Sequence, residues 1–322
     1  MQAIIVKEIG NFSIENIPIP QPKENEVLIK MAITGLCRTD LKIIEVGHRD
    51  LELPRIPGEE VVGTISEVGP KLPKTLVGTR VYVYPGTSCG TCKPCLQGAG
   101  NLCKDMQIMG FHRDGGFAEY VIAPVQSIIP IPDECPFEQA VFAEPLSCCL
   151  NALELSGLKP KETIGIWGGG PAGALLARAA KALGADVTVI EPHLQRHSYH
   201  SKVFATVPDE YFDVAIVAVG SAHAYQEAIA HLNPRGRLVV FSGLSKETSM
   251  QNIDLNQLHY RECTLVGAYG CSYRHSVDAI TMIHTKQVEV QSLISHRLPL
   301  SDLAIALDLV KYKSGMKIIL HP

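Results

Sequence analysis

Residues 163–191 read TIGIWGGGPAGALLARAAKALGADVTVIE, and this stretch settles the architecture of the half of the chain that contains it. Thr163 to Trp167 is a short apolar run of strand length, Pro171 to Leu183 is rich in Ala and Leu at helical spacing, and Val187 to Ile190 is a second apolar run. Strand, helix and strand within about thirty residues make a βαβ unit and imply a parallel sheet. Between the first strand and its helix stand Gly168, Gly170 and Gly173, a GxGxxG in the context that gives the pattern meaning. Gly168 permits the tight turn, Gly170 lets backbone approach a pyrophosphate, and Gly173 allows close packing of helix on strand. Pro171 and Ala172 open the helix, whose amino terminus faces the phosphates. Glu191 closes the second strand; a carboxylate there accepts hydrogen bonds from ribose hydroxyls and repels a 2′-phosphate, so NAD is preferred over NADP. Arg196 is the counterweight, a cation suited to a 2′-phosphate or an adenine ring, or else a solvated surface arginine.

Outward from this unit the same rhythm continues. Strands are expected at Val214–Val219, Leu238–Phe241 and Thr264–Gly267, with a crossover helix at Ala222–Leu232. Upstream the pattern is different, with short alternating runs (Val27–Ile33, Val61–Val68, Arg80–Tyr84, Phe117–Ile122) punctuated by Gly and Pro, the mark of a β-rich domain with long loops. Two helices, His275–His284 and Leu303–Tyr312, and a final strand, Lys317–Leu320, close the chain and return to that first domain. The expected organisation is therefore a catalytic domain over 1–150, with 271–322 returning to it, and a dinucleotide-binding domain over 151–270.

Composition narrows the function. With 322 residues, 46% hydrophobic, 19% charged and a net charge of −4, the chain has the profile of a globular protein without a basic footprint for nucleic acid, which points to small-molecule substrates. No apolar run approaches the roughly 20 residues that span a bilayer, and the amino terminus reads as strand and turn rather than signal peptide. A cytoplasmic setting with reduced thiols is expected. Four of the ten cysteines nonetheless fall close together, Cys89, Cys92, Cys95 and Cys103, among Gly86, Gly90, Pro94, Gly98 and Gly100. Four thiolates at that spacing close a tetrahedral zinc site, and because catalytic zinc keeps a position open, this quartet reads as structural.

Taken together, Gly35-Leu-Cys37-Arg-Thr-Asp40, Pro57-Gly-Glu59-Glu60, the cysteine quartet, Gly115-Gly-Phe-Ala-Glu-Tyr120, Glu144-Pro145 and the glycine loop resemble the zinc-dependent branch of the medium-chain dehydrogenase/reductase family, which includes alcohol, sorbitol and threonine dehydrogenases. The resemblance covers essentially the whole chain. It implies an α/β architecture, a β-rich GroES-like catalytic domain beside a Rossmann doubly wound parallel sheet, with two zinc ions per chain and assembly as a homodimer or homotetramer. Cys37 is then the thiolate anchor of a catalytic zinc, Thr39 the first member of a proton relay, Asp40 a group that orients a ligand or balances charge, and Glu144 an acid that touches the metal or its water.

Three departures stand out. The family motif is Gly-His-Glu, whereas this chain reads Gly58-Glu59-Glu60, so the expected ligand set is Cys37, Glu59, Glu60 and Glu144. One thiolate and three carboxylates carry about −4 against +2 from zinc, an excess that Arg38 or Lys42 would have to offset, or that leaves one acid protonated or Glu59 turned away. His48 and His112 are candidate substitute ligands, or surface residues. Lys42 occupies a position where relatives often carry a proton-passing histidine. Finally, only Pro192–Phe212, with His193, His197 and His200, follows Glu191 where the family has a longer crossover, so that connection is abbreviated.

The expected function is an NAD-linked alcohol dehydrogenase, an oxidoreductase moving a hydride between NAD and a secondary alcohol (polyol, cyclitol or amino alcohol) at the Cys37 zinc. The alternatives are a zinc-independent reductase of the same fold and a dinucleotide-binding pseudoenzyme.

Overall fold

In the computed structural model, which describes residues Met1 to Pro322, Thr163–Trp167 is an interior strand of a six-stranded, wholly parallel sheet. The strand order is Val203–Phe204, Asp186–Ile190, Thr163–Trp167, Phe212–Val217, Leu232–Val240, Thr264–Gly267. The chain runs outward from Thr163–Trp167 in one direction, then returns to build the other side, so the glycine loop sits at the point where strand order reverses. Ile164, Ile166, Val189, Val214 and Ile216 are fully or almost fully buried, as expected for strands covered on both faces. Trp167 packs edge-on against Phe212 in that core. The crossover after Glu191 is a 3₁₀ turn, Leu194–Tyr199, followed by a two-residue strand.

The other part of the chain is built on a second sheet. Its strands run in the order Ile294–Pro299, Lys317–His321, Glu26–Leu36, Glu60–Val68, Arg80–Val83, Ile128–Pro130, with Tyr120–Pro124 also paired to Glu26–Leu36. Two apolar cores form, one holding Val27, Ile29, Val61, Val81 and Val83, the other Ile4, Val6, Phe117, Leu303 and Ile318. Strand register sets the neighbours of Cys37. Gly35 lies opposite Glu60 on one side and Ile319 on the other, which places the end of the strand before Cys37 between the Glu59-Glu60 pair and the start of Lys317–His321.

The chain divides into a unit of Met1–Glu144, Ser272–Lys286 and Val290–Pro322 and a unit of Pro145–Cys271 with Gln287–Glu289. Residue 150, the expected junction, lies inside the helix Ala143–Ser156, and the units part between Glu144 and Pro145 within that helix. Gln287–Glu289 joins the nucleotide-binding unit, where Arg178 donates to the Glu289 carboxylate at 2.7 Å. No helix is long and apolar enough to cross a membrane.

Candidate functional site

The cysteine lobe is a run of turns closed by the short pairing of Gly86–Thr87 with Gln107–Ile108. It has little apolar core, since Leu96 and Leu102 are exposed. Its four Sγ atoms nevertheless all lie within 4.8 Å of one another, with Cys92–Cys95, Cys92–Cys103 and Cys89–Cys95 separations of 3.4, 3.8 and 4.0 Å. Thiolates bound to one zinc at about 2.3 Å stand about 3.8 Å apart along the edges of a tetrahedron, so the donor set fits a closed zinc site. Backbone N–H groups point at the sulfurs: Cys92 donates to Cys89 Sγ at 3.4 Å, and Cys89 and Asp105 donate to Cys103 Sγ at 3.3 Å. Hydrogen bonds, first that from the Thr91 backbone, hold the Cys89 thiol down to about 6. Gly90 and Gly98 adopt φ of 73° and 79°, a turn conformation that a side chain would strain.

Cys37 follows the strand Glu26–Leu36 and caps the helix Arg38–Glu45, where its N–H donates to Asp40 Oδ2 at 2.9 Å. Across the register, its thiol donates to Glu59 Oε1 at 3.6 Å. Ligands bound to zinc at about 2.3 Å (sulfur) and 2.0–2.2 Å (oxygen) at a tetrahedral angle stand about 3.5 Å apart, so this pair has the spacing of two ligands of one metal. Burial, reinforced by the charges of Asp40, Glu59 and Glu60, pushes the Cys37 thiol well above its ordinary value, so without a cation the sulfur stays protonated. Glu144 is buried in the first turn of Ala143–Ser156. Thr39 lies half-buried in the first turn after Cys37. Cys37, Glu59, Glu60 and Glu144 do not all converge as closely as the quartet does; Glu59 turns to Cys37 and Glu60 turns elsewhere.

Glu60 is fully buried and its Oε2 is ion-paired with Lys317, itself only 3% exposed. The other oxygen, Oε1, is buried with no hydrogen-bond partner, an acceptor left over for a cation. Gly35 is what makes the Glu60–Lys317 pair possible, because a Cβ there would stand 1.8 Å from Glu60 Oε2 and 2.9 Å from the Lys317 side chain. Arg38 and Lys42, the expected charge offsets, are both exposed. The compensating cation is instead Lys317, from the far end of the sequence, which also donates to the Leu36 carbonyl at 3.4 Å. Burial pulls Lys317 down more than any single partner raises it, but Glu60, Cys37 and Glu144 together outweigh burial and hold the ammonium above its ordinary value. A lone cation opening the apolar run Lys317-Ile-Ile-Leu320 was the available signal, since such a charge is buried only when paired. His48 and His112 are engaged elsewhere: His48 packs edge-on against Phe111, and His112 Nδ1 accepts from the Ile108 N–H at 3.1 Å.

Asp40 is 1% exposed, and burial lifts its carboxyl from 3.8 to about 6 against the opposing hydrogen bond from Cys37. A raised acid favours the folded state while protonated, so this stabilisation is present below pH ~4 and lost as pH rises to about 6. The two-unit displacement corresponds to about 3 kcal/mol. In the zinc-stripped protein, Asp40→Asn is expected to remove this decline, so the stability difference between variant and wild type grows by about 1–3 kcal/mol between pH 4 and 6.5. Parallel urea-unfolding curves across that range would show otherwise.

In the nucleotide-binding unit Gly168 has φ 102°, and a Cβ on Gly173 would stand 1.8 Å from the Gly168 carbonyl oxygen, so both glycines are required. Gly170 caps the helix Pro171–Ala182, with Pro171 and Ala172 in its first turn. Glu191 is 3% exposed; its carboxylate accepts from the Gly169 N–H and the His193 N–H, each at 2.8 Å. Arg196 Nη1 stands 3.7 Å from the same carboxylate and lies over Gly170, within 3.2 Å of where its Cβ would be. The three histidines brace this loop: His197 donates to the Glu191 carbonyl at 2.7 Å and His200 to the Gly169 carbonyl at 2.9 Å, while His193 Nδ1 stands 3.1 Å from the Glu191 carboxylate. The cradle of backbone N–H groups at a helix amino terminus fits a dinucleotide pyrophosphate.

Comparison with known proteins gives a consistent picture. Residues 23–133 match the family model for the alcohol dehydrogenase GroES-like domain, and residues 176–285 match that for zinc-binding dehydrogenase. Sorbitol dehydrogenase of Bacillus subtilis (strain 168) is 32% identical over 262 residues, 74% of each chain. D-altritol 5-dehydrogenase of Agrobacterium fabrum is 29% identical over 320 residues, 94% of each. Among solved structures, a Sinorhizobium meliloti 1021 protein bound to NADP superposes with a TM-score of 0.92 at 27% identity, over 100% of this chain and 99% of that one. A short chain alcohol dehydrogenase from E. coli CFT073 complexed with NADH also superposes at 0.92, with 25% identity over 100% and 99%.

Proposed function

Because the chain belongs to the zinc-dependent medium-chain dehydrogenase/reductase family, we propose that it oxidises a secondary alcohol, a polyol, cyclitol or amino alcohol, to a ketone with NAD as hydride acceptor. It is an oxidoreductase of the zinc alcohol dehydrogenase type. The observation that carries the reading is the 3.6 Å approach of Cys37 Sγ to Glu59 Oε1, with Glu60 and its orphaned oxygen behind them. Cys37, Glu59 and Glu144, with Glu60 in reserve, would hold the catalytic zinc, and Cys89, Cys92, Cys95 and Cys103 a structural one. A zinc ion at the first centre supplies a Lewis acid that eases loss of the substrate hydroxyl proton.

The chain's own groups then have separate tasks. Thr39 carries a hydroxyl that both accepts and donates, the property a proton relay requires. Asp40 fixes the Cys37 backbone and adds negative charge near the sulfur. Lys317 cancels the charge of Glu60, so the site bears less excess anion than its carboxylates suggest. Gly168, Gly170 and Gly173 shape the pyrophosphate cradle, and Glu191 meets the ribose. The Glu191 carboxylate supports NAD; Arg196, paired with it, is the feature that would admit NADP. The names of the sorbitol and altritol relatives support a polyol substrate. A homodimer or homotetramer in the cytoplasm completes the reading.

The test is a panel of polyols, cyclitols and amino alcohols with NAD and with NADP, followed by reduced-nicotinamide absorbance. NAD-dependent turnover of at least one class is expected. Silence in both directions would leave a dinucleotide-binding protein without redox activity. A separate outcome concerns Glu59. A neutral imidazole there would relieve the excess negative charge, so Glu59→His should hold the catalytic metal about tenfold more tightly against a chelator. Unchanged retention would place Glu59 outside the ligand set.

A further inference from the structure

Beside Glu144, a member of the proposed catalytic ligand set, two thiols of the nucleotide-binding unit face each other. Cys148, on the helix Ala143–Ser156, and Cys271, after the strand Thr264–Gly267, bring their Sγ atoms within 4.8 Å. We propose that Cys148 and Cys271 are a modification site, closing to a reversible disulfide when the enzyme meets a hydroperoxide.

The pair is held together by its surroundings. The Ser147 hydroxyl donates to Cys271 Sγ at 2.9 Å, and Asn151, one helical turn further on, donates from Nδ2 to the Gly270 and Tyr269 carbonyls at 2.9 and 3.4 Å. Three hydrogen bonds from one helix thus pin the segment Tyr269–Cys271 on either side of Cys148. With the two backbones fixed, reaching an S–S bond of about 2.05 Å calls for side-chain rotation and a small shift, not for the parting of elements. Exposure gives the two sulfurs different parts. Cys148 is half-buried and within reach of a small oxidant, whereas Cys271 is 5% exposed and is placed to attack second. Cys149, the neighbour in sequence, is fully buried, and its thiol donates to the Ala172 carbonyl.

The chemistry balances with a hydroperoxide as the oxidant. The Cys148 thiolate attacks the peroxide oxygen; an S–O bond forms, the O–O bond breaks, and hydroxide (alkoxide from an organic hydroperoxide) leaves and takes up the thiol proton. The Cys271 sulfur then attacks Cys148 Sγ; the S–S bond forms, the S–O bond breaks, and water leaves with the Cys271 proton. Two thiols lose two electrons in total and one peroxide gains them. A dithiol reductant reverses the change by exchange.

Glu144 precedes Cys148 by four residues on the same helix, so the two side chains lie on one face, and Cys271 leads directly into the helix Tyr273–His284. The cross-link therefore restrains the helix that carries Glu144, and turnover is expected to fall in proportion to the fraction cross-linked. The chemical readout does not depend on the proposed reaction being correct; only the effect on turnover does.

The experiment uses the zinc-loaded enzyme treated with hydrogen peroxide, alkylated, digested and analysed by peptide mass, with released zinc measured in parallel. The expected product joins the Cys148 and Cys271 peptides with loss of two hydrogens, appears before zinc is released, and disappears on adding dithiothreitol. Cys148→Ser and Cys271→Ser should each abolish it and keep the untreated turnover, whereas Cys149→Ser should leave it intact. Three results would overturn the proposal: both thiols alkylating singly after peroxide, oxidation confined to the zinc-bound cysteines, or a third metal ion shielding the pair in the untreated enzyme.

Discussion

Changing Cys37 to alanine is expected to lower turnover by about 10³-fold or more and to reduce the zinc content from two ions per chain to one, with the fold intact. The size follows from what the metal does: Lewis-acid stabilisation is worth several kcal/mol, and each 1.4 kcal/mol is a factor of ten. Cys37 is the only thiol in the proposed ligand set, and its sulfur is protonated without a cation, so in the variant only carboxylates would be left to hold a metal that favours softer donors. The structural zinc should survive because its four sulfurs belong to a separate lobe with its own N–H donors. Metal analysis of wild type and variant at equal protein concentration decides the matter. A wild-type count of one, unchanged in the variant, would mean that the Cys37 centre holds no zinc and that the enzyme works by positioning alone.

The second large effect is on stability. Lys317→Met leaves the Glu60 carboxylate in a fully buried place without its cation, and breaking one side of a buried ion pair costs about 3–5 kcal/mol. Glu60→Gln strands the ammonium in the same way. The double variant Glu60→Gln/Lys317→Met removes both charges and should be far less destabilised than the sum of the two changes, giving a coupling energy of several kcal/mol in a urea-unfolding cycle. Additive losses would show that Lys317 and Glu60 do not act as a pair. The direction with pH is also set. Lys317 is held above its ordinary value, so its contribution is complete below about pH 10 and is lost only as pH rises through the folded value.

Much of the molecule was legible from local pattern. The βαβ unit at 163–191 has strand and helix periods that change at Gly168 and again near Gly184, and the structure follows them to within a residue or two. The shortened crossover was readable as a missing length. The quartet was readable because its four cysteines sit within one lobe, where spacing stands in for distance. A lone cation in an apolar run hinted that Lys317 is paired, but its partner was not readable: Glu60 lies far away in the chain, and only the pairing of Lys317–His321 with Glu26–Leu36 brings them into contact. The different turns taken by the adjacent Glu59 and Glu60 were equally hidden, because side-chain direction depends on which strand lies alongside.

Local sequence was sufficient for the two architectures, the glycine-loop cradle and the convergence of the four cysteines, since each arises from residues close together in the chain. It took the folded chain to establish which acid faces Cys37, which is neutralised from the carboxyl-terminal strand, and that Cys148 and Cys271 meet. Those outcomes rest on strand register and long-range packing, and a buried charge or thiol takes its partner from whatever the fold places beside it rather than from its neighbours in the chain.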